Sequence, residues 1–312
     1  MLTRRTVLWA ARETTYGTDP AMTSADGLLV YDLDYTINGE KLERPVLRDS
    51  LSKLPHVIGM KDMQVTFKTE LKGNGLTGTQ PNRPEEDVLF SACSFNTGLL
   101  SGTGLLYSLV SDESSVGSVA LRIFFDDANM HKMLGARGSV KFNLEAGKYG
   151  FAEWNLSSLY TEVISATTPA ITVGTSVPPI VYNSSFQIGG FSPVSSAAEI
   201  DLGVNVSRRA SLNSSYGVQS FRLTDRQPML NFDADAVAES SNPFFGDWHG
   251  NIVDTFGIQV GSAAGNTVTF RGFFEYEQNK YGDQDGIQKY DCTAALVSSS
   301  IDGNDELTVL YT

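Results

Sequence analysis

Asp62-Met63-Gln64-Val65-Thr66-Phe67-Lys68-Thr69-Glu70-Leu71 alternates in side-chain character along its length. Met63, Val65, Phe67, Thr69 and Leu71 fall on one side, and Gln64, Thr66, Lys68 and Glu70 on the other. A period of two with one wet face predicts a β-strand lying on a core. The pattern returns at 227–236, where Val65, Phe67 and Thr69 correspond to Leu230, Phe232 and Ala234 at a constant offset of 165. Further matches keep the same order. Residues 33–37 resemble 202–206, and Arg137-Gly138 and Arg271-Gly272 each open a predicted strand. Lys148-Tyr149-Gly150 recurs as Lys280-Tyr281-Gly282, and Phe151, Trp154 and Leu156 are echoed by Ile287, Tyr290 and Cys292. A chain of ordered matches points to two copies of one module.

The predicted fold is therefore mainly β, with two tandem β-sandwich modules and one α-helix in each. Residues 1–27 are expected as an extended N-terminal arm, 28–160 as the first module, and 184–312 as the second. Between them 161–183 is rich in Thr, Ser and Pro with almost no charge, as a linker should be. Strands are expected at 28–37, 104–111, 117–126, 129–134, 137–145 and 151–160. The first helix is expected at 84–95. Pro84 suits a first helical position, Glu85, Glu86 and Asp87 suit the positive end of the helix dipole, and Val88, Leu89, Ala92 and Cys93 form its buried face. A second helix is expected at about 236–248. The stretch 38–61 carries Glu40, Lys41, Glu43, Arg44, Arg48, Asp49 and Lys53. It reads as a solvated excursion or as a loop that reaches a neighbouring subunit, since long connections are usually functional.

The 312 residues hold 23 basic and 36 acidic side chains, for a net charge of −13. Such a balance argues against a protein that grips DNA, which requires a cationic surface to displace counterions. It does not exclude a protein that nucleic acid must pass without sticking. The 29 glycines and 10% aromatics suit a β-rich chain with many turns. Cys93, Cys292, His56, His131 and His249 are scattered, so no metal site and no cofactor is expected. The two cysteines are expected as buried free thiols. The apolar run Val7-Leu8-Trp9-Ala10-Ala11 is too short for a signal peptide, and no stretch is long enough for a membrane helix, so synthesis in the cytoplasm is expected.

No phosphate-binding loop, dinucleotide fingerprint or nucleophile elbow occurs. Asp126-Asp127 and Glu85-Glu86 are adjacent pairs, and neighbours on a strand point to opposite faces, so they do not converge for glycoside chemistry. Asp283-Gln284-Asp285-Gly286 resembles the start of a calcium loop, but its twelfth position is Ala294 and lacks the required Glu. No catalytic residue is expected.

Four stretches resemble tail tube proteins of long, non-contractile-tailed bacteriophages. They are Ala11-Arg12-Glu13-Thr14-Thr15-Tyr16-Gly17-Thr18-Asp19-Pro20, Gly135-Ala136-Arg137-Gly138, Tyr281-Gly282-Asp283-Gln284-Asp285-Gly286-Ile287 and Gly303-Asn304-Asp305-Glu306-Leu307. The resemblance implies a structural, non-enzymatic virion protein that forms stacked rings, with inner strands of neighbouring modules joined into a barrel. It also implies a tape-measure protein and tail-terminal proteins as partners, no membrane, and DNA that passes without specific binding. A long loop after an early strand bridges rings in that family, which assigns the role to 38–61, with a shorter counterpart at about 207–220. A duplicated chain would form the ring from three copies in pseudo-sixfold symmetry, with a hexamer as the alternative. The polar faces of the two matched strands offer Asp62, Glu70, Asp233 and Asp235 as an acidic lumen. The competing function is a carbohydrate-binding or carbohydrate-cleaving β-sandwich, for which Trp9, Trp154 and Trp248 are the stacking candidates.

Overall fold

A computed structural model describes residues 2–77, 80–102 and 104–312. Its strands of three or more residues are β1 (Thr6–Arg12), β2 (Tyr31–Leu42), β3 (Val57–Glu70), β4 (Leu99–Ser101), β5 (Gly104–Ser108), β6 (Val119–Phe125), β7 (Asn129–Glu145) and β8 (Phe151–Leu159). They continue as β9 (Ala197–Asp201), β10 (Val204–Ala210), β11 (Val218–Arg226), β12 (Met229–Asp235), β13 (Asp254–Val260), β14 (Val268–Gln284), β15 (Ile287–Leu296) and β16 (Leu307–Tyr311). Two short helices, α1 (Asp87–Phe90) and α2 (Phe244–Gly250), complete the set.

The main sheet is antiparallel throughout and runs in the order β2-β3-β8-β7-β9-β12-β15-β14. It contains two four-strand sets with the same order of connection, β2-β3-β8-β7 and β9-β12-β15-β14. The β7–β9 pairing joins them, from Lys141↔Asp201 to Glu145↔Ala197. Met63, Val65 and Phe67 of β3, and Leu230, Phe232 and Ala234 of β12, are buried as their alternation predicts. Among the described residues the strand pairings form no closed ring; the sheet ends at β2 and at the C-terminal half of β14.

β7 and β14 are long enough to serve two layers. The first part of β7 pairs with β6, which pairs with β1, and its last part belongs to the main sheet. The first part of β14 lies between β13 and β16, and β16 continues through β5 to β4. Gly135 makes the bend in β7. Its φ of +62° is left-handed, and the pairings of β7 with β8 and with β6 both shift register around it. The sequence reading ended one strand at 134 and began another at 137; the chain instead forms one strand with a bulge.

The larger of two apolar clusters among the described residues fills the space between the layers, and a small one gathers Trp9, Phe124 and Met130. Phe90 stacks on Tyr107 at 4.3 Å between ring centroids and meets Trp154 at 5.4 Å and Tyr311 at 6.3 Å. Such ring pairs add to simple area burial. Phe142 and Phe270, from the two halves of the chain, lie 4.8 Å apart. Polar groups are buried here too. Tyr311 Oη donates to Glu86 Oε1 at 2.8 Å, and Tyr107 Oη to Asp87 Oδ1 at 2.5 Å. Arg12 and Arg83 both reach the Asp87 carboxylate, at 3.0 and 2.8 Å. Burial pushes the Glu86 carboxyl up to about 8, against the pull of Tyr311 and Lys72.

Three expectations change. Within the expected arm, Thr6–Arg12 is a strand whose Leu8 and Ala10 are fully buried, because its short apolar run covers the first layer. The helix expected at 84–95 is one α-turn followed by a 3₁₀ turn, Ser91–Cys93, and it stops where Ser94 turns left-handed at φ +67°. The charged stretch 38–61 is irregular only in its middle, since β2 continues to Leu42 and β3 begins at Val57. Both cysteines are buried and free.

Candidate functional site

Residues that point away from the core give the main sheet one continuous polar face. Pairing brings Lys68 beside Glu153 and Glu153 beside Lys141, and then Lys141 beside Asp201. The next row across is Asn143, Glu199, Asn231 and Thr293. Asp233 faces Asp291, which faces Lys280. A groove of about 650 Å³ lies over the middle of this face, between the β7–β8 turn and β12 and β15, with Glu199, Asp233 and Asp291 in its lining.

Acids outnumber bases on the face, and several are held by the bases present. Lys141 bridges Glu199 at 3.3 Å and Asp201 at 3.2 Å, across the junction of the two strand sets. Lys289 contacts Asp233 at 2.6 Å, and Asp235 lies at 4.0 Å. Lys68 pairs with Asp32, and Lys72 with Glu70. Among the described residues Asp34, Glu153 and Asp291 form no ion pair within 4 Å, nor does Lys280. Asp233 is the most engaged acid. Burial opposes its ionisation, yet hydrogen bonds from Lys289, Ser196, the Ala197 amide and Ser195 outweigh that and hold the carboxyl well below the usual carboxylate range.

Of the four acids named from sequence, Glu70, Asp233 and Asp235 lie on this face, partly exposed. Asp62 does not stand free on it. It is buried at the base of the β2–β3 hairpin, accepting from Asn38 at 2.8 Å and Arg208 at 2.7 Å. The sequence reading missed Glu153, Glu199, Asp201 and Asp291. The period of two in β8, β9 and β15 assigns them to the same face, once those strands are known to continue the sheet.

The β2–β3 hairpin projects beyond the sheet. Glu40, Lys41, Glu43, Arg44, Arg48, Asp49 and Lys53 are all exposed, and Leu47 and Leu51 at its tip are fully so. A second hairpin, β10–β11, lies between β9 and β12 in the chain and carries a fully exposed Leu212. Gly203 separates it from β9. Its φ is +56°, and a Cβ there would meet the Gln227 carbonyl oxygen at 2.4 Å, so only glycine turns the ribbon at this point. The turn end of the β10–β11 hairpin packs against β3 at Met60–Asp62. Arg208 reaches Asp62, the Lys61 amide donates to the Tyr216 carbonyl at 3.2 Å, and the Lys61 ammonium lies over the rings of Tyr160 and Tyr216.

The stacking candidates for a carbohydrate site do not converge. Trp154 and Trp9 are buried, and Trp248 is half exposed with its Nε1–H donated to the Glu277 carbonyl. Among the described residues no group of three potential ligands is placed to hold a metal ion. No helix among them is long and apolar enough to cross a membrane. Among curated proteins none matches the chain. The family described as "Phage tail tube protein" matches residues 3–294.

Proposed function

Because this chain belongs to the phage tail tube protein family, and is thus a non-enzymatic structural protein of the virion tail, we propose that three copies form each ring of the tube and that the polar face of the main sheet lines its bore. The observation that carries this reading is the main sheet itself, with two strand sets of identical order joined edge to edge and an open edge at either end. Tail tube proteins self-assemble into tubes. An open edge exposes unpaired backbone donors and acceptors, and closure into a cycle removes it. Three chains would place six four-strand sets around the ring.

The face suits a conduit for DNA. Its acids, with few free cations among them, repel phosphate at short range, and a cationic bore would retain DNA through contacts repeated in every ring. Before DNA enters, the bore would hold a tape-measure protein, and tail-terminal proteins would cap the stack. The β2–β3 hairpin, with 43–56 and its exposed leucines, would reach the adjacent ring, with β10–β11 as the shorter counterpart. Electron cryo-microscopy of filaments grown from purified protein tests the subunit count. Three chains per ring are expected; six whole chains per ring would overturn the three-copy assignment.

A further inference from the structure

The internal β7–β9 junction gives the register of the contact between copies. The offset of 165 relates β3 to β12 and also β2 to β9, since Tyr35 faces Val65 as Ile200 faces Leu230, and Asp34 faces Thr66 as Glu199 faces Asn231. On the other side, Lys141 and Lys280 occupy equivalent places. Lys141 follows Lys68 and Glu153 across the sheet, and Lys280 follows Asp233 and Asp291. The free edge of β14 therefore corresponds to the edge of β7 that pairs with β9, and the free edge of β2 to the edge of β9 that pairs with β7.

From this correspondence we propose that β14 of one copy pairs antiparallel with β2 of the next, with Lys280 opposite Thr36, Tyr281 opposite Tyr35, and Gly282 opposite Asp34. The proposal rests on ring assembly but not on the number of chains in the ring. Side chains at both edges fit it. Internally, Phe142 faces Ile200 and both are fully buried. Their counterparts are Tyr281, 60% exposed in the single chain, and Tyr35, packed at the margin of the core. Leu202 is 0% exposed, while Ile37 at the equivalent place is 41% exposed. These are the residues a further strand would cover. Charge fits as well. Lys141 bridges Glu199 and Asp201 across the internal junction, and Lys280 would meet Asp34, the counterpart of Glu199. In the single chain Lys280 and Asp34 are both exposed, and neither forms an ion pair within 4 Å among the described residues.

Paired cysteines test the register. Directly opposed residues on antiparallel strands bring their Cβ atoms to about 4.5–5.5 Å, near the reach of a disulfide. Filaments of the Thr36→Cys/Lys280→Cys variant, oxidised and run without reductant, should give a ladder of linked chains. The Tyr35→Cys/Lys280→Cys variant should give none, because a one-residue slip places the two thiols on opposite faces. Filaments that link through the slipped pair, or through neither, would overturn the proposal. Charge exchange supplies the second measurement. Asp34→Lys and Lys280→Asp should each raise the protein concentration needed for assembly by about 3-fold, and the two together should restore it nearly to the starting value, as coupled sites do. Single effects that simply add in the double variant would likewise refute the pairing. A ladder from rings of six chains would leave this junction standing and remove the three-chain ring. Three-chain rings without a ladder would do the reverse.

Discussion

Glu86 is an acid enclosed on every side, with Tyr311 as its donor and Lys72 and Glu85 nearby. Its carboxyl titrates at about 8 in the folded chain against 4.5 when free. The native state therefore holds Glu86 protonated between those values, so the contribution of this one group to stability is greatest below about 4.5 and is lost as pH rises toward about 8. Glu86→Gln should remove this slope. It should leave stability at pH 5 little changed and raise it at pH 9 by on the order of 2–4 kcal/mol, read from denaturant unfolding at the two pH values. Gly135 is a second decisive residue. A Cβ there would come within 2.6 Å of the Tyr16 ring, on a backbone at φ +62° that side chains avoid. Gly135→Ala should lower stability by about 1–3 kcal/mol, seen as a fall in the denaturation midpoint. Glu86 illustrates what sequence conceals. Beside Pro84 and Glu85 it reads as a solvated helix start, and only the approach of Tyr311, from the other end of the chain, turns it into a core residue.

Among the elements, β12 and the part of β3 from residue 62 onward are legible, because each has one wet and one dry face and so writes a period of two into the sequence. The hairpin ends are not. Both sides of 38–42 and 57–61 are exposed for most of their length, so no alternation marks them as strand. Spacing also misled in the flanking strands. By pairing, Trp154 corresponds to Cys292 and Leu33 to Ala198, whereas the sequence matches set Trp154 beside Tyr290 and Leu33 beside Leu202. Lys148-Tyr149-Gly150 leads through the β7–β8 turn, while Lys280-Tyr281-Gly282 lies inside β14. Removing 43–55 should leave the folded core intact, since surface excursions are inexpensive to shorten. Circular dichroism and the melting temperature should change little, whereas electron microscopy should show rings or short oligomers in place of long filaments. Long filaments from this variant would argue against a role for the hairpin in stacking.

At the scale of the whole molecule, charge on the polar face can be altered without disturbing the fold only where acids are not structural. Asp233 is unsuitable, because its bonds to 195–197 and Lys289 would be lost. Glu153, Asp235 and Asp291 are better placed. Replacing all three with Lys should leave assembly nearly intact, as exposed charges contribute about 0–1 kcal/mol each. DNA ejection from particles carrying the variant should slow, and more so at low salt, where screening extends over longer distances. Ejection rates indifferent to the reversal at every salt concentration would place the face elsewhere than the bore. The long connection from β5 to β16 also has a consequence for synthesis. β5 finishes near residue 108, and its partner begins at Leu307. At about 5–20 residues per second, a ribosome needs roughly 10–40 s to deliver that partner. Through that interval the nascent chain carries an uncovered edge on β5, and Glu86 lacks its tyrosine. Completion of the second layer is thus timed by translation, and slow synthesis between residues 108 and 307 would lengthen the period in which that edge is open to pairing with other strands.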